Sequence, residues 1–289
     1  MGTAACGGSS GTATSLPTFA VIGAQRAGTT ALYSWLRAHP DVFIPEVKEL
    51  NFFFREGHWD RGVPWYRSLF EGAGAARHRG DVSPSYSMFP LASGSPELMR
   101  RVVPEVKLIY LVRHPIERMR AAYALMTSIG QETRPIDQAL RRDSLYVSTS
   151  QYAMQLEQFL ERFDREQILV VRSEDLRERR GPTLGRILSF LDLGSDWRPD
   201  DLATEHNPTA AKRRPRRRAV RALGVAHRLG MRAVSAEGLA DHWWTSRPLT
   251  EAELTIDPDL GAVLQQWLRP DLLRLRALLG EDFDTWGLL

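Results

Sequence analysis

Apolar residues along this chain gather into short unbroken runs separated by longer amphipathic stretches, the pattern of buried parallel strands alternating with helices. Thr18–Gly23 (TFAVIG), Val106–Val112 (VKLIYLV) and Gln167–Val171 (QILVV) read as strands. Thr29–His39 places Leu32, Trp35 and Leu36 on one face and stops before Pro40, as helices do when a proline follows. Pro115 suits the first position of the helix after the second strand. A helix over Val147–Phe163 precedes the third strand, and residues 249–286 read as helical, with Leu264, Trp267, Leu268, Leu272, Leu275 and Leu279 as core positions. The alternation predicts a three-layer α/β fold with a central parallel sheet flanked by helices. Ligands of such sheets bind beyond the carboxyl ends of the strands.

Two segments break the pattern. Residues 1–15 (MGTAACGGSSGTATS) are small and polar, without the basic and apolar regions of a signal peptide. They predict a disordered tail ahead of a single domain over 16–289, with the cytoplasm as the default location. From Leu202 to Trp244 the chain carries AKRRPRRRAVR, interrupted by Pro215, and then an ill-defined stretch. It reads as a basic loop followed by a helix or an irregular cover.

Composition narrows the classes. The 289 residues are 43% hydrophobic, enough for one sizeable core. The single cysteine, Cys6, excludes an internal disulfide and a cysteine-based zinc site. The seven histidines show no i, i+3 or i, i+4 pair, so no metal is expected. No apolar run approaches the roughly 18 residues of a membrane span. The pI is about 9.2, yet the formal net charge is only +3. The basic residues are nearly all arginine, as GC-rich codon usage would produce, and lysine stands only at Lys48, Lys107 and Lys212.

Chemistry enters at the first strand end. Gly23-Ala-Gln-Arg-Ala-Gly28-Thr29-Thr30 follows a strand and opens a helix with the glycine spacing of a P-loop. Converging backbone N–H groups and the positive end of a helix suit an anion, and Arg26, Thr29 and Thr30 add a charge and two hydroxyls. The bland alternative is a tight turn with no ligand. The motif's lysine is replaced by Thr29, and the strand VKLIYLV ends in Arg113 rather than a metal-binding acid. An ATP or GTP enzyme of this fold needs both missing groups. The site therefore suits a nucleotide with two anionic ends and no Mg²⁺, on a P-loop NTPase-like sheet.

Phe19–Val42 resembles the 5′-phosphosulfate loop of sulfotransferases that use 3′-phosphoadenosine 5′-phosphosulfate (PAPS), in particular the bacterial enzymes and the heparan sulfate N- and O-sulfotransferases. Further similar motifs follow in family order: Lys48–Phe54 (KELNFFF), Gly62–Phe70, Gly80–Tyr86 (GDVSPSY), Val112–Arg118 (VRHPIER), Ile168–Leu176, Phe190–Leu193 and Leu278–Trp286. The resemblance implies that Gln25, Arg26, Ala27, Gly28, Thr29 and Thr30 hold the 5′-phosphosulfate and that Arg113 holds the 3′-phosphate. It implies Glu49 as the general base, Arg26 on the bridging oxygen and Lys48 on the sulfonate. The acceptor it implies is a small molecule or glycan, a lipid or secondary metabolite among the possibilities, with 202–247 as the variable segment on the acceptor side.

Three departures stand out. Ala121 occupies the place of a serine that bonds the 3′-phosphate, leaving Arg120 to compensate or the phosphate more weakly held. Val82 replaces a lysine of the heparan enzymes, and Ser150 a glycine, read as structural. The Lys212–Arg218 cluster has three readings: a solvated loop, a lid over the 3′-phosphate using Arg213, Arg214 or Arg216, or an anionic-polymer patch. A small nucleotide suits the placement of the charges better than a nucleic acid. Trp243-Trp244 read as core or as an aromatic platform for an acceptor, with core favoured; Trp65 and Tyr66 read as core; and His58 reads as a surface residue, with a place in the acceptor cleft as the alternative. A P-loop small-molecule kinase and a non-enzymatic Arg-rich binding module are the alternatives.

Overall fold

A computed structural model of the chain describes residues 16–200, 202, 212–215 and 246–289. The tail 1–15, Arg216, Trp243-Trp244 and most of the 202–247 segment lie outside the described residues.

Five parallel strands form the central sheet in the order β2-β3-β1-β4-β5. They are β1 (Phe19–Gly23), β2 (Val42–Phe43), β3 (His78–Val82), β4 (Lys107–Val112) and β5 (Ile168–Arg172). Helix α1 (Thr29–Ala38) follows β1, and α2 (Gly62–Ser68) and α3 (Ser95–Val102) flank β3 in the chain. Helix α4 (Pro115–Ser128) follows β4 and leads through α5 (Ile136–Arg142), α6 (Ser144–Ser148) and α7 (Tyr152–Leu160) to β5. Helices α8 (Ser173–Glu178) and α9 (Arg180–Phe190) leave β5. A short antiparallel pair, β6 (Arg213–Pro215) with β7 (Ser246–Pro248), precedes α10 (Glu251–Leu254) and α11 (Pro258–Leu279).

Every residue of β1 is buried, as is all of β4 after Lys107. Both faces of a parallel sheet are covered by helices, so its middle strands read as continuous apolar runs. The chain leaves β1 toward β2 and leaves β4 toward β5, in opposite directions along the sheet. The crevice beyond β1 and β4 is therefore the topological switch point, where such sheets take their ligands.

Four expectations are corrected. Two further strands, β2 and β3, join the three read from apolar runs. β3 is HRGDV, too polar for that pattern, and β2 is only two residues long. The helix expected over Val147–Phe163 is broken between Ser148 and Tyr152. There the fully buried Ser150 turns its Oγ to accept from Arg118 Nε at 2.5 Å, and buried Asp271 of α11 caps α7 by accepting from Ala153 N and Met154 N at 3.0 and 2.9 Å. Trp267 is 44% exposed, whereas Leu260, Leu264, Leu268, Leu272 and Leu275 form the buried stripe of α11. One residue before Leu268 is about 100° off that stripe. Arg213 and Arg214 belong to β6, where a loop was expected.

Candidate active site

The turn from β1 into α1 is made by glycines at its two ends. A side chain at Gly23 would collide with Ser87 Oγ, and Gly28 holds φ at +93° as the residue capping α1. Among the described residues no N-cap side chain bonds the first amides of α1, whose cap is Gly28, and no acid stands in its first turn. The first amides of a helix have no partner within it and carry partial positive charge, so this end is left open to an external anion. Ala27 is fully buried and offers only its backbone, while Gln25 and Arg26 are partly exposed and Gly28 lies at the surface. Thr29 is buried. Thr30 Oγ1 accepts from Lys48 Nζ at 3.1 Å, which leaves its hydroxyl proton free to donate.

Arg26 and Arg113 meet over this turn. Arg113 stands just past β4 and donates from Nη1 to the Arg26 carbonyl at 3.2 Å. Burial is the first cause lowering the pKa of each guanidinium, and Arg113 lowers that of Arg26 further by like charge. Glu49 opposes this by favouring the charged form of Arg26, and Glu117, 3.7 Å from Arg113 Nη2, does the same for Arg113. Arg26 Nε is buried with no hydrogen-bond partner among the described residues. An unpaired buried donor costs roughly 1–3 kcal/mol. Arg26 also holds φ at +69°, a left-handed conformation costing a residue with a side chain about 1–2 kcal/mol. Such departures from relaxed geometry cluster at functional sites. Two close, desolvated cations beside an uncapped helix end form a site whose charge an anion would complete.

Lys48 and Glu49 face the same turn. Lys48 Nζ lies 3.1 Å from Thr30 Oγ1 and 3.2 Å from Glu49 Oε1. Glu49 holds φ at +63° and Asn51 at +49°. Their loop is fastened from below: Glu49 N donates to Val82 O at 3.0 Å, Asn51 N to Ser83 Oγ at 3.0 Å and Phe52 N to Tyr86 OH at 3.0 Å. Ser83 Oγ in turn donates to Asp81 Oδ1 at 2.6 Å, and Tyr66 OH and Tyr86 OH each donate to Asp81 Oδ2 at 2.7 Å. Asp81 is wholly buried. Burial pushes its carboxyl pKa up, and the three hydroxyls pull it back. Its oxygens face this hydroxyl cluster, although β3 lies next to β1.

The Asp81 cluster thus anchors the loop that presents Lys48 and Glu49. Tyr86→Phe removes one donor to Asp81 and leaves buried Phe52 N without its acceptor. We expect a loss of about 1–3 kcal/mol in denaturant unfolding together with a lower kcat, because the loop loosens. Unchanged stability would mean that the cluster does not carry the loop.

The other expected residues fall around this centre. Ala121 is fully buried on α4 and presents only a methyl group. Its neighbour Arg120 is paired with Glu117 and with Glu251 of α10, both at 3.3 Å. β6 packs on α4: Arg213 Nε donates to Ser246 Oγ at 2.8 Å, and Arg214 Nη2 donates to Tyr123 OH at 3.0 Å. Val82 is buried at the end of β3, and Tyr66 is buried in the Phe52–Phe53–Phe70 cluster. Trp65 is half-buried against it, and His58 is exposed, with Nδ1 2.7 Å from Leu50 O. Sequence reasoning missed the roles of Asp81, Tyr66, Tyr86 and Arg118, although all four sit inside the motifs it quoted. No helix of the described residues is long and apolar enough to cross a membrane.

Comparison with known proteins bears on this arrangement. Residues 16–223 match the sequence model of a family described as "Sulfotransferase domain". The chain is 30% identical over 187 residues to heparan sulfate glucosamine 3-O-sulfotransferase 3B1 of Homo sapiens, a match covering 62% of this chain and 46% of that protein. It is 31% identical over 206 residues to bifunctional heparan sulfate N-deacetylase/N-sulfotransferase 1 of Caenorhabditis briggsae, covering 62% of this chain and 23% of the relative. The match thus spans half or less of these relatives' lengths. In fold, the chain is similar to a sulfotransferase from Alicyclobacillus acidocaldarius, with a TM-score of 0.69 and 24% identity over 93% of this chain and 98% of the other.

Proposed function

The chain belongs to the sulfotransferase family, and from that membership we propose that it moves the sulfonate of PAPS to an acceptor hydroxyl or amine by in-line transfer. The observation that carries this reading is the pairing of Arg26 and Arg113 at the switch point, with Arg26 Nε buried and unpartnered beside an uncapped helix end. Residues 16–289 act as one sulfotransferase domain. The amides of Gln25–Thr30 and the threonine hydroxyls hold the 5′-phosphate, and Arg113 holds the 3′-phosphate. PAPS supplies a sulfonate already activated by its leaving group.

The chain's own residues do the rest. Glu49 takes the acceptor's proton, since neither a hydroxyl nor a protonated amine is a good nucleophile at neutral pH. Lys48, between Thr30 and Glu49, neutralises the sulfonate oxygens. Arg26 stabilises charge on the departing phosphate oxygen, a preorganised electrostatic role. Packing of β6 on α4, the helix that follows Arg113, supports the lid reading of the basic segment. The relatives named for heparan sulfate support a glycan acceptor. Buried Val82, in the place of their lysine, favours Lys48 as the cation on the acceptor side.

A P-loop kinase would require an acid facing the loop, and Asp81 is committed to three hydroxyls instead. Calorimetry with adenosine 3′,5′-bisphosphate separates the readings. Micromolar binding that needs the 3′-phosphate and is indifferent to Mg²⁺ is expected. Preference for ATP with Mg²⁺ would favour the kinase, and binding of no nucleotide would favour an anion-binding module.

A further inference from the structure

The turn carrying Arg113 is gripped by parts of the chain far from it in sequence. Tyr152, the first residue of α7, donates its hydroxyl to the Arg113 carbonyl at 2.7 Å and accepts from Arg113 N at 3.4 Å. The next amide, His114 N, donates to Glu174 Oε1 of α8 at 2.9 Å. One phenol and one carboxylate therefore fix both peptide groups that flank the Arg113 side chain. Tyr152 and His114 are in turn covered by the C-terminal segment. The indole of Trp286 packs against Tyr152 and His114, with ring centroids 5.9 and 6.4 Å apart. Arg172 lies over that indole at 5.7 Å and pairs with Asp284 Oδ2 at 2.5 Å. Asp284 Oδ1 accepts from Trp286 N at 2.8 Å, closing the turn that presents the indole.

We propose that the C-terminal turn Asp284–Trp286 is a latch that positions Arg113 for the 3′-phosphate, acting directly on Tyr152 and, by way of Arg172 at 4.0 Å, on Glu174. This rests on the assignment of Arg113 to that phosphate. The contacts favour a positioning role over general packing. A guanidinium reaches a phosphate oxygen through aligned, charge-assisted bonds whose strength depends on direction. The Arg113 peptide is held by side chains, while its own guanidinium is spread between Glu117 and the Arg26 carbonyl. Asp271 of α11 secures the same point from the other side, since it caps the start of α7, where Tyr152 stands. Both the body and the end of the C-terminal region thus converge on Tyr152.

Substitution at the latch is clean, because Trp286 Nε1 has no hydrogen-bond partner among the described residues, so phenylalanine retains most of what the indole contributes. The test compares adenosine 3′,5′-bisphosphate with adenosine 5′-monophosphate by calorimetry on the full chain. For Trp286→Ala we expect bisphosphate affinity to fall roughly tenfold, the worth of one well-aligned phosphate contact. Monophosphate affinity should stay within about twofold, being held by the β1–α1 turn. Trp286→Phe should keep the wild-type preference. Tyr152→Phe should lose it as Trp286→Ala does, and it decides the matter if the alanine variant fails to fold. An unchanged preference in Trp286→Ala or Tyr152→Phe, or an equal loss for both nucleotides, overturns the latch. A wild-type protein that binds the two nucleotides alike overturns instead the assignment of Arg113.

Discussion

Glu49→Gln is expected to lower kcat by about 10²–10⁴-fold, the usual worth of a general base, while leaving the affinity for adenosine 3′,5′-bisphosphate within about twofold. Glutamine keeps the shape of the side chain and loses only the charge and the basicity. The loop itself should survive, because its backbone is held by Val82, Ser83 and Tyr86 rather than by the Glu49 carboxylate. The Lys48–Glu49 pair is half-exposed on the Glu49 side, and such pairs contribute only about 0–1 kcal/mol to stability. Loss of rate with neither unfolding nor loss of nucleotide is therefore the signature of a proton acceptor. A variant that keeps more than about a tenth of the wild-type kcat removes Glu49 from that role.

The two strand-end elements of this site were legible in the chain because each is local. Gly23–Thr30 is a continuous segment whose glycine spacing states its geometry, and Arg113 follows directly on an apolar run that can only be a strand. Lys48-Glu49 was legible through resemblance, since nothing about a charged pair on a loop distinguishes a base from a solvated ion pair. The Asp81 cluster was not legible, because its meaning comes from Tyr66 and Tyr86, 15 and 5 residues away and set in place by packing. β3 was missed for the same reason. A strand carrying a buried, hydroxyl-satisfied aspartate looks polar until its partners are known. The grip of Tyr152 on Arg113 spans 39 residues, and the break between α6 and α7 that allows it is made by Ser150 and Asp271, neither of which shows in the apolar period.

Arg26→Asn separates what the site needs for reaction from what the fold would prefer. Arg26 is a desolvated cation crowded by Arg113, and Arg118 adds further like charge. Its Nε lacks a partner among the described residues, and its backbone is left-handed at φ +69°. Each of these features costs stability in the unliganded chain, while asparagine carries no charge and tolerates that backbone. We therefore expect the free variant to melt higher than wild type, by about 2–4 °C for each kcal/mol recovered. Activity should move the other way. Removing a preorganised charge aimed at a developing oxyanion costs about 10²–10³-fold in kcat, and nucleotide affinity should also fall. Thermal unfolding without ligand and steady-state turnover measure the two effects independently. A variant that melts lower than wild type would show that Arg26 is held by structural contacts. One that melts higher yet turns over within about tenfold of wild type would show that its charge is not used in the reaction. The opposition of the two signs is the mark of a residue kept for chemistry at the expense of the fold.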